Sequence, residues 1–246
     1  MAREVCGVLL ASDVDEKMEQ FKVDVPRGML EIGGKSILIH QIELMRNIGI
    51  KDFIFLVKHR KELIENYFEG GEKFGVSIKY VQQNKSLGLA HAVGQLEKYI
   101  DSPFILSLSS IFLLPKNFNQ LIELADLHHA AATLAVQNAP DPNFSEIHYG
   151  VILHSNKMVK RVVEKPRHIM GALKGCGIYY FEPVIFDAIR RTPRTAMRDQ
   201  YEIADSIQIL IDDGFTVCPA EVIEWYKHIN SLSDLEICRV KYASLK

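Results

Sequence analysis

Hydrophobic and polar positions in this chain follow two rhythms. Residues 5–10, 53–57, 104–108 and 131–136 are short apolar runs of the kind that buried parallel strands require. Residues 76–81 alternate (V-S-I-K-Y-V), which predicts a strand. Residues 36–47, 61–68, 89–100 and 118–127 repeat their apolar side chains every three or four positions, which predicts helices. Strand, helix, strand, helix in this order predicts an α/β fold. Its core is a doubly wound, mostly parallel, Rossmann-like sheet with right-handed crossovers.

After Pro140 the rhythm changes. Residues 149–154 and 159–163 read as two strands paired around Ser155-Asn156-Lys157, and 171–181 as a long strand. Helices follow at 184–190 and 201–212, then a strand at 215–221 and a last helix from Leu232. The apolar run 105–114 reads as one buried strand and its exit. Without a repeat, a low-complexity tract or a linker, 1–246 reads as a single domain with a β-rich second half.

Composition narrows the function classes. Lys and Arg number 29 against 31 Asp and Glu, a net charge of −2, so neither nucleic acid nor a membrane surface is an expected partner. No apolar run is long enough to span a bilayer, and the N-terminus lacks a secretory pattern. Cys6, Cys176, Cys218 and Cys238 are far apart and lie in apolar or helical surroundings, the pattern of buried free thiols in a reducing cytoplasm.

The loop after the first strand is unusual. A strand-to-helix loop this early in an α/β chain often cradles phosphate with glycine and positive charge. This one lacks glycine until Gly28 and carries Asp13, Asp15, Glu16, Glu19 and Asp24. Asp13-Val14-Asp15 is a D-x-D, but so short a motif arises often by chance, and a solvated acidic loop is its default reading. His128-His129 closes a helical stretch, where imidazolium favours the helix C-terminus. His91, in "LAHA", is expected to face or pack against a cleft.

Six segments carry a family resemblance: "LEIGGKSILIHQIELMRNIGIKDFIFLV", "ENYFEGGEKFGVSIKYVQQNKSLGLAHAV", "YGVILHSNKMVKRVVEKP", "GCGIYYFEPVIFDAI", "YEIADSIQILIDDGFTV" and "EWYKHINSLSDL". In this order they resemble the sugar-1-phosphate nucleotidyltransferases, the nucleotide-sugar pyrophosphorylases. Those enzymes join a nucleoside triphosphate to a sugar phosphate and release pyrophosphate. The resemblance implies the nucleotide-diphospho-sugar transferase fold, without the left-handed β-helix that some members append. It implies base contact at Gln83 and Gly88, and sugar-phosphate contact at Gly150, Glu164, Lys165 and Gly177. Two plainer readings stand beside it: Gln83 as a surface loop residue, and Glu164-Lys165 as a strand-end salt bridge.

The same register shows losses. The family's first loop runs roughly L-A-G-G-x-G-T-R, followed by a catalytic Lys. Counted from Gly7, Ser12, Asp13 and Asp15 stand at its glycines, Glu16 at Thr, Lys17 at Arg and Arg27 at the Lys. Arg27 could meet a phosphate or pair with a loop acid, and its planar fork needs different room from an ammonium. Acids at the glycine positions would face a polyanion; like charges about 4 Å apart repel by roughly 1 kcal/mol in water and more in a dry cleft. Of the two metal-holding Asp positions, Ser110 occupies the first and His228 the second. Neither replaces a carboxylate at Mg²⁺, so no metal ligand and no cofactor is assigned, with Mg²⁺ expected only in an active protein.

The resulting expectation is a catalytically impaired family member. It binds a sugar phosphate, a nucleotide-sugar or an active paralogue, with homo-oligomerisation open. An active enzyme using Arg27 with Asp13 or Asp15, and an interaction protein with a vestigial cleft, are the alternatives. Base and sugar are not specified.

Overall fold

The computed structural model describes residues 4–12, 25–138, 149–165, 173–196 and 198–245. Asp13, Asp15, Glu16 and Lys17 lie outside this set, as does the start of the strand expected at 171. The chain forms two compact units. The first comprises Val5–Asn84, Leu106–Leu114 and Trp225–Lys246; the second comprises Met1–Glu4, Lys85–Ile105 and Pro115–Glu224.

In chain order the first unit carries strand β1 (Cys6–Ala11), a hairpin of β2 (Glu31–Ile32) and β3 (Lys35–Ser36), helix α1 (Ile37–Asn47), β4 (Asp52–Val57), α2 (Lys61–Phe68) and β5 (Ser77–Gln82). Strands β1, β4 and β5 are parallel, with Gly7 opposite Phe53 and Phe53 opposite Ile78. Five of the six residues of β1 and of β4 are buried, which is why those segments are nearly continuous apolar runs. In β5 only Ile78 and Val81 are buried, so this strand is less covered than β1 and β4 and carries polar residues among its apolar ones. Helix α1 starts where Ser36 Oγ accepts from the Ile39 N–H at 3.3 Å, an N-cap that satisfies one orphan donor.

The chain passes through α3 (Leu89–Gly94) of the second unit into β6 (Phe104–Leu108) and β7 (Ile111–Pro115). It continues with α4 (Gln120–His128), β8 (Ala132–Asn138), β9 (Tyr149–Leu153), β10 (Val159–Glu164) and β11 (Leu173–Phe181). Helices α5 (Ile185–Arg191) and α6 (Ile203–Asp212), strands β12 (Val217–Ala220) and β13 (Ile223–His228), and helix α7 (Leu232–Ala243) complete it.

In the second unit β8 lies between β11, antiparallel to it, and β12, parallel to it. Strands β9 and β10 form the expected antiparallel pair, and β11 joins β9. Helix α6 buries Ile203, Ala204, Ile207 and Leu210 at helical spacing. From this helix Gln208 Oε1 accepts the Val162 N–H of β10 at 3.1 Å, meeting a backbone donor with a side chain.

Three expectations change. The helix expected over 89–100 ends at Gly94, and Glu97–Tyr99 forms a separate 3₁₀ turn. The run 105–114 is two strands, β6 and β7, parted by a turn at Ser109-Ser110. Residues 223–228, unassigned from sequence, form β13, which pairs with β7. Their weak alternation hid them, because half-covered side chains follow the partner strand rather than a local period. No described helix is long and apolar enough to cross a membrane.

Candidate functional site

Each unit carries its own group of candidate residues. In the first, the turn between β6 and β7 presents Ser110. The turn is braced from α1: Gln41 Nε2 donates to the Leu108 carbonyl and to the Ile111 carbonyl, both at 2.8 Å. The Ser109 N–H donates to the Leu10 carbonyl at 3.1 Å. Gln41 is 3% exposed on a helix face otherwise made of Ile37, Leu38, Ile42 and Met45. A glutamine on an apolar stripe was a legible signal, and sequence reasoning missed it.

Ser110 meets His228 directly. Ser110 Oγ lies 2.6 Å from His228 Nε2, and the Ile229 N–H donates to the Ser110 carbonyl at 2.8 Å. The two positions expected to have lost a metal-holding carboxylate are thus joined by a hydrogen bond. Next to them, Lys227 Nζ pairs with Asp234 Oδ1 at 3.1 Å rather than facing an open site. Burial pushes the Asp234 carboxyl up, but hydrogen bonds from Ser231, the Asn230 N–H and Lys227 outweigh it, and its pKa falls below the ordinary value. Ser231 caps α7 in the same arrangement, its Oγ accepting from the Asp234 N–H. Trp225 and Tyr242 pack against the cluster of Ile32, Phe112, Leu235 and Cys238 behind it.

Arg27 opens a 3₁₀ turn, Arg27–Met29, and is 2% exposed. Gln83 follows β5 and is 4% exposed; its N–H donates to the Val57 carbonyl at 2.8 Å, one step beyond the β4–β5 ladder. The surface-loop reading of Gln83 is therefore overturned. Its main chain extends the β4–β5 pair and its side chain is buried.

The second unit holds Gly88, Gly150, Glu164, Lys165 and Gly177. Gly88 has φ 106° and ψ 171°, a region that is essentially glycine's alone. A Cβ there would lie 2.4 Å from the Tyr201 carbonyl oxygen. Tyr201 N–H donates to the Leu87 carbonyl at 2.8 Å, and the Ala90 N–H to the Tyr201 carbonyl at 3.0 Å. The bare backbone of Gly88 is thus already used by another part of the chain. His91 lies beside it, its ring 6.2 Å from that of Tyr201; burial first, then Lys85 and Arg194, lower its pKa.

Gly150 stands in β9 between Val163 of β10 and Lys174 of β11. Gly177 has φ 72° and lies where the β11–β8 register shifts between Gly175 and Tyr179. Glu164 ends β10 opposite Tyr149. Arg198 Nη1 donates to Glu164 Oε1 at 3.4 Å and to Glu202 Oε1 at 2.8 Å. The strand-end ion pair expected for Glu164 therefore exists, but its cation is Arg198. Burial first, then Glu202, pushes the Glu164 carboxyl up to about 7, against Lys165 and Arg198. Arg198 and Glu202 were not singled out from sequence, because their meeting with Glu164 spans 34 and 38 positions that no local pattern connects. A separate cavity of about 470 Å³ in this unit, lined by residues including His129, Glu182 and Phe215, contains none of the candidates.

Comparison with known proteins agrees with this fold. The sequence profile of the nucleotidyl transferase family matches residues 10–226. The UTP–glucose-1-phosphate uridylyltransferase AglF of Haloferax volcanii is 30% identical over 89% of this chain and 88% of its own. The low-salt glycan biosynthesis nucleotidyltransferase Agl11 of the same organism is 28% identical over 93% of this chain, which spans 63% of that protein's length. A mannose-1-phosphate guanyltransferase of Candida albicans is 26% identical over 80% of this chain and 55% of its own. The crystal structure of UDP-glucose pyrophosphorylase complexed with UDP-glucose superposes with a TM-score of 0.84 at 16% identity, covering 98% of this chain and 99% of that one. These matches establish the α/β nucleotidyltransferase-type fold, and with it the membership: this chain belongs to the nucleotidyl transferase family, that of the sugar-1-phosphate nucleotidyltransferases.

Proposed function

We propose that this chain serves sugar-nucleotide metabolism as a binding member of its family with impaired nucleotidyl transfer. The observation that carries the reading is the 2.6 Å hydrogen bond between Ser110 and His228. By resemblance these residues hold the two positions where a family enzyme keeps carboxylates for Mg²⁺. A serine hydroxyl shared with an imidazole supplies no negative charge to hold a hard cation against its waters. The residues at these two positions do not fit the ion. Among the described residues no group of three or more His, Cys, Asp or Glu is placed to hold a metal.

Binding is favoured over a vestigial cleft by the residues that the resemblance assigns to the sugar phosphate, all of which are kept in the sequence. Gly150, Glu164 and Gly177 lie in one antiparallel group of strands, β9, β10 and β11, and Lys165 directly follows β10. The ligand class is a sugar phosphate or nucleotide-sugar; regulatory association with an active relative is the form in which a silent subunit would act. The decisive assay mixes the protein with Mg²⁺, each common nucleoside triphosphate and several sugar 1-phosphates, and reads pyrophosphate. The expected result is no turnover alongside a thermal shift with at least one nucleotide-sugar. Pyrophosphate release at an ordinary enzymatic rate would overturn the reading.

A further inference from the structure

Among the described residues, the Glu164 cluster holds more carboxylate than cation. Glu164 and Glu202 draw on the same Arg198 nitrogen, with side-chain exposures of 16% and 8%. Asp205 lies one turn along α6, and its carboxyl is also raised, by burial and then by Glu202. Among the described residues, the groups that act on Glu164 are Lys165, just past the end of β10, and Arg198, Glu202 and Asp205 from α6 and the segment before it. From β9 and β11 come the phenols of Tyr149 and Tyr179, whose rings stack at 5.7 Å. Burial and then Glu164 itself raise the Tyr179 pKa, so that phenol stays neutral, and Cys176 lies near it. Among the described residues, three carboxyls therefore share two nearby cations in a poorly hydrated place. Repulsion there is reduced most cheaply by one proton.

We propose that this cluster binds its phosphate-bearing sugar ligand together with one proton, carried on Glu164. The inference rests on the proposed function, which places the ligand's phosphate near Glu164 and Lys165. An incoming anion competes with the carboxylates for Lys165 and Arg198. Each cation drawn towards the ligand leaves a carboxylate less compensated, so the affinity of Glu164 for a proton rises on binding. By linkage, protonation must then tighten ligand binding by the same factor. Binding is expected to be flat in pH where Glu164 is already protonated, below about 7, and to weaken above it. The limiting slope is about tenfold per pH unit.

The probe is UDP-glucose, whose pyrophosphate diester keeps a fixed charge across this range. Calorimetric titration at pH 7.5 in phosphate and in Tris, buffers of unlike ionisation enthalpy, reads the protons exchanged. The expected result is uptake of about half a proton or more, and a dissociation constant that rises roughly tenfold between pH 7 and pH 8.5. Both effects are expected to vanish in Glu164→Gln. Zero uptake by the wild type, or equal uptake by the variant, overturns the proposal. A ligand-free measurement separates it from the reading beneath it. A carboxyl whose folded pKa is raised binds its proton better in the native state. Wild-type stability should therefore fall as pH rises from 4.5 to about 7 and level off above. Glu164→Gln should lack that fall. A missing difference overturns the proton; an intact difference with no binding of UDP-glucose or of any other common nucleotide-sugar overturns the ligand, and the proposed function with it.

Discussion

The double substitution Ser110→Asp with His228→Asp tests whether the frame is a metal site without its acids. The two side chains now meet at 2.6 Å. An aspartate at 110 reaches about one atom further than serine and one at 228 stops short of the imidazole, so the carboxylates would lie about 4 Å apart. At an effective dielectric near 20 their repulsion is about 4 kcal/mol. Solvent access and rotamer relaxation reduce this, and the lost Ser110–His228 hydrogen bond adds about 1 kcal/mol. The metal-free double variant should therefore be about 2–4 kcal/mol less stable than the wild type, by denaturant unfolding. Magnesium should restore part of it. If the ion binds with a dissociation constant near 1 mM, 10 mM Mg²⁺ stabilises by about 1.4 kcal/mol. For a chain of this size that is a rise of about 3–6 °C in melting temperature. The wild type should show no such rise. Each single variant serves as a control, because it introduces one carboxylate rather than a facing pair. A wild type that Mg²⁺ stabilises by several degrees, or a double variant blind to it, refutes the reasoning.

Three further outcomes are expected. Gly88→Ala places a Cβ 2.4 Å from the Tyr201 carbonyl oxygen at φ 106°; backbone strain with two weakened hydrogen bonds should cost about 2–5 kcal/mol, by urea unfolding. Gln41→Leu leaves the Leu108 and Ile111 carbonyls without this donor but also removes Gln41 Oε1, itself buried without a hydrogen-bond partner. The two effects partly cancel, so the net loss should be about 1–3 kcal/mol, and no loss would show that the brace is dispensable. Burial pushes the thiols of Cys6, Cys218 and Cys238 up to about 12, 11 and 12, with Asp52 adding to the first and Asp234 to the last. A thiol-disulfide exchange reagent at pH 8 should label them slowly in the native protein and rapidly after denaturation.

How much of this was legible varies by element. The parallel strands β1 and β4 announce themselves as apolar runs, because both faces of such a strand are covered whatever its neighbours are. Helix α6 shows its stripe for the same reason. Strand β7 was legible as apolar but not as separate from β6, and β13 was not legible at all, since its half-covered side chains follow a partner more than a hundred residues away. The site divides along the same line. The substitutions at Ser110 and His228 could be read in the chain, but not that the two side chains bond to each other. Gly88 could be marked, but not that Tyr201 is what needs it small.

The chain by itself determined the order of elements, the α/β class, the family and the exchange of charged for neutral groups at two positions. Those are properties of local pattern, where each residue reports its own burial or its own chemistry. Tertiary structure decided which groups share a charge. Arg198 reaches both Glu164 and Glu202, and Gln41 holds the turn of Ser110. Electrostatic and hydrogen-bond energies fall off within a few ångströms, so they depend on distances that only the folded chain sets.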